Sequence, residues 1–67
     1  MIKSISQIPQ IPMTAWTCAE FLYGKEALDA NHLLASEAYQ QMESAGWKFL
    51  DYDENGDELF SPEGVSL

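Results

Sequence analysis

The chain has 67 residues, 46% of them hydrophobic, and sets 11 acids against 3 lysines and no arginine, for a net charge of −8. That length holds one hydrophobic core, so residues 1–67 read as a single small acidic domain, too apolar for disorder. Direct nucleic-acid binding is disfavoured, because phosphate contacts need lysine or arginine and the chain offers only Lys3, Lys25 and Lys48. The acidic character also argues against an anionic membrane surface. Cys18 is the lone cysteine, which rules out an internal disulfide and fits a reducing compartment. No apolar stretch approaches the ~20 residues needed to cross a bilayer, and polar residues from Ser4 to Gln10 interrupt any secretory apolar run. The chain reads as a soluble, intracellular protein, with a monomer favoured.

Residues 1–13 are expected to form an extended arm, with an edge strand over residues 2–6. Ile2, Ile5, Ile8 and Ile11 recur every three residues, a spacing that suits neither a strand nor a helix. Pro9 and Pro12 lack an N–H and push the residues before them towards extended backbone. The isoleucines would pack this arm on the rest.

Residues 14–45 are expected to be helical. Thr14 or Thr17 can cap a short first helix, Thr17-Cys18-Ala19-Glu20 having capping-box spacing, and Gly24 is a good stop. A long helix then runs from about Glu26 to Ala45 and stops at Gly46. At about 100° per residue, Ala27, Asn31, Leu34, Ala35, Ala38, Met42 and Ala45 share a face, with Leu28 and Tyr39 beside it. Glu26, Asp29, Glu37 and Glu43 form an acidic stripe on the other side, with Leu33 as an apolar contact point within it.

Residues 46–62 are expected to form a β-hairpin around Glu54-Asn55-Gly56-Asp57. Asn-Gly can make a two-residue turn, or Gly56 can take the left-handed position of a three-residue loop, which sets Asp53 opposite Asp57. Either register places like charges across the strands, at a cost to pairing. The apolar residues Trp47, Phe49, Leu50, Tyr52, Leu59 and Phe60 alternate cleanly in neither, so both faces of the hairpin should be partly covered. The fold class is therefore α+β: arm, short helix, long amphipathic helix, hairpin. Trp16, Phe21, Leu22, Leu34, Ala38, Met42, Leu50 and Phe60 are the expected core.

Little in the chain suggests catalysis. Cys18 lies near a helix start, where a thiol pKa can fall, but a single cysteine reads better as a small buried hydrophobe. His32 has no serine or cysteine in register, and the carboxylates look solvated rather than held in a cleft. Asp51-x-Asp53-x-Asn55-Gly56 matches the first half of a calcium-binding EF-hand loop, but Pro62 stands where the bidentate carboxylate belongs. An acidic hairpin accounts for the run better. No enzyme, metal or other cofactor is expected.

The acids Asp51, Asp53, Glu54, Asp57 and Glu58, with the helix acids Glu26, Asp29 and Glu37, could stand in for phosphates towards a basic protein. In size and charge the chain resembles the small acidic inhibitors encoded by bacteriophages and other mobile elements, the anti-CRISPR and DNA-mimicking anti-restriction proteins, at the level of type and with no shared motif. That resemblance implies a non-catalytic inhibitor, acting in the bacterial cytoplasm. It would cover the basic DNA-binding surface of a protein complex, foremost the target-DNA or PAM-binding surface of a CRISPR effector. The expected partner-binding residues are Glu26, Asp29, Leu33, Glu37, Asp51, Asp53, Glu54, Asp57 and Glu58. The alternatives are an accessory or regulatory subunit that docks through apolar groups and, behind it, a calcium-binding module.

Overall fold

A computed structural model describes residues 4–62. In chain order these form a 3₁₀ turn (Ile5–Gln7), β1 (Met13–Thr14), α1 (Ala15–Tyr23), α2 (Lys25–Ala30), α3 (Leu34–Ser44), β2 (Lys48–Tyr52) and β3 (Glu58–Ser61). The sheet has three antiparallel strands in the order β1-β3-β2. The class is α+β, as expected. Among the described residues, no helix is long and apolar enough to cross a membrane.

The arm is not an edge strand. Ile2 and Lys3 lie outside the described residues, and Ile5–Gln7 turn as a short 3₁₀ helix. The Ser4 amide donates to Gln7 Oε1 at 2.8 Å, and the Gln7 amide donates to the Ser4 carbonyl at 2.9 Å. Gln10 then pins the turn from the far side, its Nε2 donating to the carbonyls of Ile5 and Ile8. With the backbone satisfied locally, Ile8 enters the core and the arm pairs with the sheet only at Met13 and Thr14.

Thr14 caps α1, its Oγ1 accepting from the Thr17 amide at 3.2 Å. Gly24, at a φ of +96°, ends that helix where a left-handed residue is required. The expected long helix is broken. Asn31 leaves helical geometry, and its Oδ1 accepts from the Leu33 amide, the local side-chain turn through which asparagine competes with a helix. The break shifts the phase of the inward face: Leu28 is fully buried, whereas Ala27 and Asn31 are exposed. Ala38 and Met42 stay inward on α3, as expected.

The end of α3 is a Schellman motif. The Gly46 amide donates to the Glu43 carbonyl and the Trp47 amide to the Met42 carbonyl, with Gly46 at a φ of +87°. Met42 and Trp47, whose contact characteristically accompanies this motif, both belong to the buried cluster.

The hairpin adopts the longer of the two expected loops. Gly56 sits at a φ of +85°, and the Asp53 amide donates to the Asp57 carbonyl at 2.9 Å. Tyr52 then faces Glu58, and Phe49 faces Phe60. Between them Asp51 faces Leu59, so Leu50 is an extra residue on β2. That bulge is why the apolar residues do not alternate: it returns Phe49 and Tyr52 to one face, with ring centroids 5.2 Å apart.

The core gathers Ile8, Met13, Cys18, Ala19, Leu22, Leu28, Ala38, Met42, Trp47 and Phe60. Of the residues expected there, Leu22, Ala38, Met42 and Phe60 are buried and Leu34 and Leu50 half-buried. Trp16 and Phe21 are exposed. On α1 the inward stripe is Cys18, Ala19 and Leu22, and small residues there and at Ala38 let the helices approach closely.

Asp53 holds the hairpin loop. Its Oδ1 accepts from the amides of Asn55, at 2.9 Å, and Asp57, at 2.8 Å. Asp53→Ala is expected to cost about 1–2 kcal/mol in urea denaturation, whereas Asp53→Asn, which keeps an acceptor and removes a charge opposite Asp57, should stay within about 0.5 kcal/mol. Equal losses from both would show that the loop does not depend on this acceptor.

Candidate functional site

The first turn of α1, one flank of α3 and the start of β3 enclose a groove of about 440 Å³. Thr14, Ala15 and Trp16 supply one wall, Ala35, Ser36 and Tyr39 the second, and Asp57, Glu58 and Phe60 the third. The spacing Ala35, Ser36, Tyr39 places those side chains on one flank of α3, beside its inward face. Strand pairing carries Phe60 to the centre of the sheet, and the hairpin loop sets Asp57 and Glu58 at the groove's edge.

Aromatic rings continue beyond the groove in both directions. The Tyr39 and Phe60 rings lie 5.3 Å apart, Phe49 stands 6.4 Å from Phe60, and Tyr52 packs on Phe49. At the other end, the Trp16 and His32 rings are 5.4 Å apart. Phe60 is buried, but Trp16, Tyr39, Phe49 and Tyr52 are exposed. An apolar band with a polar rim is the usual mark of an interaction surface.

Tyr39 joins the charge on the helix to the charge on the hairpin. Its phenol is pushed above the ordinary tyrosine value, first by the negative charge of Glu43, then by partial loss of hydration, a hydrogen bond to Glu43 and the charge of Glu58. Glu43 belongs to α3 and Glu58 to β3, so carboxylates from both acidic patches act on one ring.

The expected partner-binding residues divide. Asp57 and Glu58 line the groove. Asp53 is half-buried and committed to the loop, and Glu54 is exposed beside it. Asp51 faces Leu59, and side-chain alternation along β3 puts that pair on the sheet face opposite Phe60. Glu37 and Glu43 are six residues apart, which separates them by about 120° around α3. Glu37 accordingly faces a different groove of about 490 Å³ beside Tyr23, whose hydroxyl accepts from Gln41 Nε2 at 2.7 Å. Glu26 and Asp29 are exposed on α2, so the break at Asn31 interrupts the expected stripe. Leu33 is 73% exposed, immediately after the His32 that meets Trp16.

Sequence reasoning missed Trp16, Tyr39 and Phe60 as site residues, having assigned Trp16 and Phe60 to the core. The available signal was Tyr39 at the margin of the apolar face of α3. The half-matched calcium run is the end of β2 and the hairpin loop, with one Asp53 oxygen held by two amides. Among the described residues, no group of three His, Cys, Asp or Glu side chains is placed to hold a metal ion.

Cys18 is fully buried, and burial pushes its thiol from 9.0 up to about 11. The folded chain therefore keeps this proton at a pH where the unfolded chain has lost it. The resulting stabilisation is complete below pH 9.0 and disappears as pH rises through about 11. The loss should be roughly 2–3 kcal/mol, and denaturation of Cys18→Ala should be correspondingly less pH-dependent over that range. A thiol reagent should label native Cys18 only as fast as the protein unfolds; labelling at the rate of a free thiol would contradict its burial.

Compared with known protein families, curated proteins and solved structures, the chain matches none.

Proposed function

We propose that this protein is a non-catalytic inhibitor that covers the basic, nucleic-acid-binding surface of a protein partner. The favoured partner is a CRISPR effector complex, blocked at its target-DNA or PAM-binding surface. The supporting observation is the groove itself, where Asp57 and Glu58 adjoin exposed Trp16 and Tyr39. Long-range attraction from a body with a net charge of −8 would speed encounter, and the aromatic band would supply contact area. A phosphate mimic needs charge alone; this surface has charge and an anchor.

The test is competition. Purified effector complexes are bound to fluorescent target duplex, and the acidic protein is added at rising salt. Stoichiometric displacement of the duplex, weakening steeply with salt, is the expected result. Failure to displace duplex from CRISPR effectors of several types would remove the CRISPR assignment. Exposed Leu33 favours a second reading, an accessory subunit docked through apolar groups. Binding that ignores salt but is lost in Leu33→Asp would select it.

A further inference from the structure

Resting on the reading of a basic partner, we infer that the groove between α1, α3 and β3 is a seat for one arginine side chain of that partner, with Tyr39 and Trp16 flanking its stem and guanidinium and Asp57 and Glu58 taking its charge.

Three features argue for this occupant. The groove combines aromatic rings with carboxylates, and a cation against an aromatic face and an acid gains from both. Its walls are otherwise small, Thr14, Ala15, Ala35 and Ser36, which leaves room for a long unbranched side chain in a groove of about 440 Å³. The charge is one-signed: Glu43 adds to Glu58 at Tyr39, and among the described residues no lysine lines the groove. Arginine suits this setting better than lysine. Its guanidinium is planar, stacks on rings, is less strongly hydrated and can meet a carboxylate with two parallel N–H donors. An acidic partner would be repelled by the rim, and a wholly apolar one would leave Asp57 and Glu58 unpaired at the contact.

The inference is tested by titrating isotope-labelled protein with N-acetyl-arginine methylamide, its neutral isostere N-acetyl-citrulline methylamide and the lysine analogue, following side-chain and amide NMR shifts. The expected result is saturable binding of the arginine probe, in the millimolar range, with shifts centred on Trp16, Tyr39, Glu58 and Phe60. Citrulline should bind at least tenfold more weakly, and lysine in between. Tyr39→Leu should weaken the arginine probe at least fivefold. Should that variant lose its native spectrum, Glu58→Gln, at an exposed position, carries the same expectation. Equal binding of citrulline, or shifts spread evenly over Glu26, Asp29 and Glu54, would overturn the seat.

A hexa-arginine peptide separates this failure from failure of the basic-partner reading. Salt-dependent binding that is equal in wild type and Tyr39→Leu overturns the seat and leaves that reading standing. Absence of binding even at low salt overturns both.

Discussion

Leu28→Ala is expected to unfold a large fraction of the protein under native conditions. Leu28 is fully buried and is the single buried residue of the six-residue α2. A helix that short has no stability of its own, because the cost of nucleation is not recovered in so few turns. It persists because Leu28 docks it on the core. Truncating a buried leucine costs about 2–5 kcal/mol, while a domain of this size has only about 3–5 kcal/mol in total. Ala27→Ser is the matched control: its side chain is exposed, so the change should stay within about 0.5 kcal/mol. Urea denaturation followed by tryptophan fluorescence reads both. An unbroken helix facing inward through Ala27 would reverse their order, so a loss below about 1 kcal/mol in Leu28→Ala would refute the observed docking of α2.

Joint reversal of Asp57 and Glu58 to lysine should produce the largest effect on binding. Each reversal adds two charges, moving the net charge from −8 to −4. A loss on the order of 100-fold in partner affinity at low salt is expected, because the carboxylates are replaced by cations facing a basic surface. Glu26→Lys with Glu54→Lys makes the same change in net charge away from the groove walls and should cost about tenfold or less. The fold should survive the first pair, since removing the charge of Asp57 relieves its repulsion with Asp53 across the loop. Equal losses from the two pairs would assign binding to overall charge rather than to the groove. Asp53 is unsuitable for such a test, because its carboxylate holds the loop.

The turns were the most legible part of the chain. Gly24, Gly46 and Gly56 were each read as a stop or a left-handed position, and each has a positive φ. Such positions can be read locally because only glycine reaches them without strain. Burial of Cys18, Leu22, Ala38, Met42 and Phe60 was legible for a related reason: apolar side chains at helical or strand spacing point one way. The break at Asn31 was not. Leu34, Ala35, Ala38 and Met42 keep their own helical rhythm, and Ala27 and Asn31 extend it backwards on paper, so periodicity alone cannot detect a change of phase. Asn31 reveals the break through a side-chain hydrogen bond to the Leu33 amide, an interaction available to any asparagine and used by few within helices.

The candidate site was half legible. Asp57 and Glu58 could be placed at the end of a hairpin from the sequence, but their neighbours could not. Trp16 and Tyr39 are 23 residues apart in the chain and line one groove because β1 pairs with β3 while α1 packs on α3. Trp16 was read as core because large aromatic residues usually are. On α1, however, the inward positions went to Cys18, Ala19 and Leu22, which left Trp16 on the rim.

The class of this protein was legible from local features: one small α+β domain, strongly acidic, with glycine stops and a hairpin turning at Asn55-Gly56, whose loop length was left open between two registers. These are local or additive properties, carried by backbone sterics and by summed charge. Which acids share a surface depends instead on how the elements pack. The helix break separates Glu26 and Asp29 from Glu37, helical rotation turns Glu37 away from Glu43, and the fold returns Glu58 to the side of Tyr39. Charge counts add along a chain, but a binding surface depends on direction, and direction is settled only when the elements pack.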